Sequence, residues 1–243
     1  NQAENPYPGK IPVFLWTKAL ENGISMTPKG DGVRGMERLD SNIKMIVNLA
    51  GNTLVNQHSD INHTIELLKD EKKCEFILCS DIFMTPSARF ADLLLPATSV
   101  LEGNNIISPW RGSQYLLRNN QVARPLFESR FEWEWLKEVA KQLGLYEAFT
   151  DGKPDLEQWL EENYQILKKQ EPGLPDYADF CKRGGWQYPD PIRYLAFEKE
   201  IQDPEHYPFA TPSGKIEIFS KSLYDLGQPE TIPGIPKYVP CPE

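Results

Sequence analysis

The sequence lacks a Cys-x-x-Cys pair, a Gly-x-Gly-x-x-Gly loop, a basic run and any long apolar stretch, and each absence removes a class of function. The four cysteines, Cys74, Cys79, Cys181 and Cys241, do not have the spacing that metal and dithiol sites favour, so they read as ordinary thiols. Cys74 and Cys79 flank or lie in a strand-like run, and their odd separation sends them to opposite faces if that strand is regular. No segment approaches the ~20 apolar residues of a membrane helix, so direct membrane insertion is not expected. Asn1 to Lys10 is polar and proline-rich rather than a signal peptide, and without an initiator Met it reads as a cut within a longer chain. Gly51-Asn-Thr-Leu-Val supplies only one glycine, which weakens a free-standing NAD-binding domain. With 26 Lys and Arg against 35 Asp and Glu, the net charge of −9 and the missing basic cluster argue against nucleic acid as a partner. An anionic ligand can still bind locally, through helix N-termini and backbone N–H groups.

What is present is globular material. The 243 residues are 40% hydrophobic and 25% charged, enough for one large α/β domain or one domain plus an extension. The 21 prolines exceed the roughly 5% average and concentrate in the last third, which should break into irregular connections.

Ile43 to Leu49 is a β-branched apolar run that stops at Ala50-Gly51-Asn52, the pattern of a buried strand ending in a turn. Asp60 is a suitable N-cap for an amphipathic helix over residues 60 to 70, with Ile61, Ile65 and Leu68 on one face. Glu75 to Cys79 is a second strand ending at Ser80-Asp81, Thr85-Pro86 opens a helical turn through Ala91, and Leu93 to Pro96 is a third strand. This alternation predicts an α/β fold with a doubly wound, mostly parallel, Rossmann-like sheet, followed by an irregular Pro-rich C-terminal extension. The domain reading is 1–40 as a connecting segment, 41–150 as an α/β ligand-binding domain, 151–210 as a helical or irregular extension, and 211–243 as a linker or the start of a further domain. A helix is expected over Phe131 to Leu143, with Trp135, Val139 and Leu143 on one face, and another from Pro154 to about Leu167. Thr211 to Phe219 reads as a turn and an alternating strand.

In parallel sheets ligands collect beyond the carboxyl ends of the strands. Two segments lie there, Gly51 to Asp60 and Ser80 to Thr85. A carboxylate at Asp81 can accept from a base's amino edge or from ribose hydroxyls, although it can equally cap the following turn. Asn56 offers donor and acceptor in a loop ahead of a helix N-terminus, and is equally suited to a turn at positive φ. Asn52 and Gln57 share that loop as secondary candidates. His58 and His63 would lie about 140° apart on a helix with no cysteine beside them, so they read as surface or capping groups. Trp133, Trp135 and Trp159 read as core. Trp110 and Tyr115 lie in a stretch without helical period, where they could border a substrate funnel.

The run Gly51-Asn-Thr-Leu-Val-Asn-Gln-His-Ser-Asp-Ile-Asn62 carries a resemblance, as do Asp70 to Glu75, Ser80-Asp-Ile-Phe-Met-Thr85, Ser87 to Pro96 with Glu102 after it, Glu132 to Gly144, and Thr211-Pro-Ser-Gly-Lys-Ile-Glu217. Together they resemble the molybdopterin oxidoreductases of the dimethyl sulfoxide reductase family, nearest its anaerobic catalytic A subunits, over about Ile11 to Ser220. The resemblance implies a fragment covering mainly the third of four domains. It implies a bis(molybdopterin guanine dinucleotide) cofactor with molybdenum, an iron–sulfur cluster in an N-terminal part not contained here, and reduction of S-oxides or N-oxides by oxygen-atom transfer. The cofactor residues it implies are Asn56, the pair Ser80 and Asp81, and Glu132, where many relatives have Asp. No catalytic residue and no metal ligand is assigned, and Glu102 is a loop acid without catalytic duty. The implied partners are the other domains of the subunit, an iron–sulfur electron-transfer subunit and a membrane anchor. The implied location is the outer face of a bacterial cytoplasmic membrane, reached through those partners, and the fragment alone should be inactive. A structural, non-catalytic domain of the same fold in a respiratory complex is the competing reading.

Overall fold

The computed structural model describes residues 7–57, 59–109, 114–188 and 195–240, so His58, Trp110 and Cys241 lie outside the described residues. The chain forms two compact units, Asn1–Tyr188 and Pro189–Glu243.

The first unit opens with helices α1 (Trp16–Asn22) and α2 (Pro28–Asp31). Thr27 caps α2 with its hydroxyl, and Pro28 stands at the first helical position, where its missing N–H costs nothing. Three strands follow: β1 (Met45–Leu49), β2 (Phe76–Asp81) and β3 (Leu93–Pro96), with α3 (Ile61–Lys69) between the first two. They form one sheet in the order β1-β2-β3, parallel throughout, with Leu49 opposite Ser80 and Asp81 opposite Pro96. The α/β architecture is therefore the expected one, and the first two strand ends point to the same rim.

Side chains alternate across a strand, and the face bearing Ile46, Ile77, Cys79 and Leu94 packs on Leu20, Leu54, Leu68, Cys74 and Ala88. Each such fully buried large apolar side chain contributes about 1.5–3 kcal/mol. Cys74 and Cys79 share this core and do not part to opposite faces. The reason is that Cys74 precedes β2 in a turn, its N–H bonded to Asp70 O at 2.9 Å, so strand alternation does not govern it.

A second sheet was not legible beforehand. β4 (Asn105–Ile107), β5 (Tyr115–Asn119) and β6 (Gly185–Gln187) pair antiparallel in the order β4-β5-β6. Its outer strands hold three residues each, too few to display alternation. Helices α4 (Glu132–Gln142), α5 (Tyr146–Thr150), α6 (Leu156–Gln170) and α7 (Tyr177–Arg183) complete the unit. Leu116 of β5 joins Leu160, Tyr164, Leu174, Tyr177 and Phe180 in a core of its own. The expected stripe on α4 is not buried to its end, since Val139 and Leu143 are exposed.

The second unit contains the short helices α8 (Glu198–Gln202) and α9 (Lys221–Tyr224). The strand expected after Thr211 does not form. Its Thr211-Pro-Ser-Gly turn is present, Gly214 N–H donating to Thr211 O at 3.0 Å. Thr211 Oγ1 then donates to Lys215 O and Glu217 accepts from Ser213 N–H, so local bonds occupy the segment. Among the described residues no strand covers Ile216 and Ile218, which stay 73% and 79% exposed.

Candidate functional site at the carboxyl rim of the parallel sheet

The chain leaves β1 through Ala50, whose φ of 51° lies in the left-handed region. For a residue with a Cβ this costs roughly 1–2 kcal/mol. Ala50 N–H donates to Ser80 O at 2.8 Å, which carries the β1–β2 ladder one residue past the strand and holds the turn. Beneath it lies Asn48, a buried amide within an apolar strand. Its Nδ2 donates to Gly51 O at 2.6 Å, and its Oδ1 accepts from Thr53 Oγ1 at 2.5 Å. A buried amide must find partners, and here those partners are the loop itself.

Asn52 projects from that loop. Its Oδ1 accepts from both the backbone N–H of Ser87, at 3.0 Å, and the Ser87 hydroxyl, at 2.7 Å. At the end of β2, Ser80 is fully buried and its hydroxyl donates to Glu132 Oε1 at 3.3 Å, reaching the first residue of α4. Asp81 is half-buried and its Oδ1 accepts from Phe83 N–H at 3.1 Å. That is the turn-capping role anticipated as an alternative. It engages one oxygen only, and among the described residues Oδ2 has no partner.

These groups border one cavity of about 340 Å³, lined by Ala50, Gly51, Asn52, Asp81, Thr85 and Glu132 among others. Ligand cavities begin near 300 Å³. Of the residues predicted from sequence, the fold brings Asn52, Asp81 and Glu132 together, with Ser80 as the support behind Glu132. Asn56 and Gln57 do not line it. Asn56 is exposed on the turn at 54–56, and Gln57 borders a separate groove with Val13, Phe14 and Met45.

His63 is half-buried and faces Glu21 of α1 at 3.2 Å. Glu102 anchors a loop through two backbone donors, Ser99 N–H at 2.7 Å and Leu126 N–H at 2.9 Å, and those bonds hold its carboxyl below the usual range. Tyr115 opens β5. Trp133 and Trp159 lie half-buried beneath Lys137 and Lys153 rather than in the cavity. Sequence reasoning missed Asn48 and Ser87. The signal for the first was an amide in a strand otherwise built of apolar residues.

The chemistry follows from the donor set. The two carboxylates welcome a neutral group that presents N–H or O–H and repel phosphate, while the amide NH₂ of Asn52 takes an acceptor. The N-terminus of α3 offers an anion no better reception, because the Asp60 carboxylate already caps it.

The architecture defines an α/β domain with a cavity at the carboxyl ends of parallel strands, and its fold is shared by a solved structure. Acetylene hydratase from Pelobacter acetylenicus is similar with a TM-score of 0.54 at 24% identity, over 92% of this chain and 26% of that one. The chain belongs to the molybdopterin oxidoreductase family, whose pattern matches residues 17–142. It is 41% identical over 98% of its length to dimethyl sulfoxide reductase DmsA of Escherichia coli (strain K12), covering 30% of that protein. It is 32% identical over 90% of its length to trimethylamine-N-oxide reductase 1 of the same organism, covering 26% of it. The chain thus spans less than a third of the length of these curated relatives. Among the described residues no helix is long and apolar enough to cross a membrane.

Proposed function

We propose that this chain is part of the catalytic subunit of a molybdenum oxidoreductase that reduces S-oxides or N-oxides, and that its rim cavity holds the guanosine end of a molybdopterin guanine dinucleotide. The observation that carries the reading is the meeting of Asp81, Glu132 and Asn52 around one cavity at the carboxyl ends of the strands. Guanine presents N1–H and an amino group side by side and a ribose presents two hydroxyls, and both sets of donors match carboxylates. The free Oδ2 of Asp81 takes the base edge, and the second oxygen of Glu132 takes a ribose hydroxyl while Ser80 steadies the first. The same charges turn the diphosphate outward, toward the uncharged and exposed Asn56. When bound, the group supplies a metal centre that exchanges an oxygen atom and two electrons with the substrate. This chain's contribution is to fix that group's far end. The iron–sulfur and membrane-anchor partners, and a location on the outer face of the cytoplasmic membrane, belong to the same proposal and rest on the family resemblance.

The test uses the full-length subunit. Asp81→Asn removes the charge and keeps the shape, and the GMP released by acid hydrolysis per subunit should fall about tenfold, the size of one lost charge-assisted hydrogen bond. Molybdenum content should fall with it. Undiminished GMP in this variant would remove Asp81 from the site, and a wild-type subunit that reduces neither dimethyl sulfoxide nor trimethylamine N-oxide with reduced viologen would refute the assigned reaction.

A further inference from the structure

We propose that Ser87, which lines no part of the rim cavity, determines its preference for guanine over adenine by fixing which end of the Asn52 amide faces the ligand. The inference rests on the guanosine reading of the cavity and deepens it.

Ser87 is fully buried in the loop after β2, 35 residues from Asn52. Three bonds join it to the loop after β1: its N–H and its Oγ–H both donate to Asn52 Oδ1, at 3.0 and 2.7 Å, and its Oγ accepts from Val55 N–H at 3.2 Å. The Cys79 thiol donates to the Ser87 carbonyl at 3.9 Å, a contact from the sheet side.

A primary amide has one acceptor end and one donor end. Two donors converge on the position of Oδ1, so a flipped amide would place its NH₂ against both of them. Asn52 is therefore locked in one orientation. Its Oδ1 is used up, and among the described residues Nδ2 has no partner, which leaves a donor as the group it offers to the cavity it lines. Asp81, which lines the same cavity, offers an acceptor. A donor and a carboxylate acceptor lining one cavity complement guanine, which carries a carbonyl oxygen beside its N–H groups. Adenine carries an amino group and a bare ring nitrogen in the corresponding places and meets like against like. A donor set of this polarity discriminates because the wrong base leaves buried groups unpaired.

The experiment takes the full-length subunit isolated without its cofactor and measures the affinities for GMP and for AMP by calorimetry. Wild type should prefer GMP by tenfold or more, as one mismatched hydrogen bond requires. In Ser87→Ala only the backbone N–H still holds the amide oxygen, so the amide turns part of the time and the GMP-to-AMP ratio should fall severalfold, while Ser87→Thr, which keeps the hydroxyl, should restore it. Should Ser87→Ala fail to fold, Asn52→Asp keeps an oxygen for Ser87 and replaces the donor by an acceptor, and it should abolish the preference for GMP. A wild-type ratio in Ser87→Ala or in Asn52→Asp overturns the role of Ser87. A wild-type subunit that does not distinguish the two nucleotides overturns the guanosine reading itself, so the two failures are told apart.

Discussion

Removing either partner of the Arg118–Glu157 ion pair should destabilise the first unit, but by unequal amounts. Arg118 projects from β5 with a side chain only 4% exposed, whereas Glu157 on α6 is 39% exposed, and their N···O distance is 2.9 Å. Arg118 also donates to Tyr177 Oη at 3.0 Å and to Asn120 Oδ1 at 3.2 Å, and the Tyr177 hydroxyl donates to Glu157. Glu157→Gln strands a buried guanidinium. Stranding a wholly buried charge costs 3–5 kcal/mol, and because the lost partner is partly hydrated we expect about 2–3 kcal/mol here. Arg118→Met leaves a carboxylate that water can reach and that keeps its Tyr177 bond, so about 1–2 kcal/mol is expected. At roughly 2–4 °C per kcal/mol for a chain of this size, Tm should drop by about 4–12 °C in the first variant and about 2–8 °C in the second. Urea unfolding followed by tryptophan emission measures both, and the double variant should recover part of the Glu157→Gln loss. An Arg118→Met variant that is as damaged as Glu157→Gln, or more so, would refute the reasoning. The pair also predicts a pH dependence. Burial raises the Glu157 carboxyl, but hydrogen bonds from Arg118 and Tyr177 and the charge of Arg118 outweigh it and leave the group below its ordinary 4.5. A depressed carboxyl binds its proton less readily folded than unfolded. Its stabilisation is thus complete above pH 4.5 and is lost as pH falls through the lowered value. Glu157→Gln should flatten that acid limb.

Two further outcomes follow from the cores. Phe180 is fully buried and stacks on Tyr164 with ring centroids 4.7 Å apart, so Phe180→Ala should cost about 3–5 kcal/mol in urea unfolding, and a loss under about 1 kcal/mol would mean that the site collapses freely. Burial raises the thiol pKa of both Cys74 and Cys79. Iodoacetamide at neutral pH should therefore leave them unmodified until denaturant is added, and fast labelling of the native chain would contradict their burial.

The parallel sheet was legible in the sequence because its signals are local. The run from Ile43 to Leu49 stops at a glycine turn, Asp60 stands where α3 begins, and Leu93 to Pro96 is a strand of the expected length. The antiparallel sheet was not, since β5 and β6 pair Leu116 with Trp186 across a long stretch of chain and neither neighbour announces the other. The failed strand after Thr211 shows the converse limit. Its alternation of Ile216, Glu217 and Ile218 is a strand signal, but alternation forms a strand only when another strand satisfies its backbone.

The cavity divides along the same line. Asp81 and Glu132 were both marked by the resemblance, and the fold puts them on one cavity although Glu132 lies 52 residues from the Ser80 it meets. Asn56 ranked ahead of Asn52 in sequence, two amides in one polar loop. The fold separates them through a contact that no local pattern encodes. Ser87 takes the oxygen of Asn52 and leaves Asn56 on the exposed turn. Asn48 reads as a flaw in an apolar run, yet it pins Gly51 and Thr53 and so holds the strained turn at Ala50 in place. Polar residues that shape a cavity without lining it must be buried to do so. In a sequence, burial is inferred from apolarity, so these residues are the ones that reading overlooks.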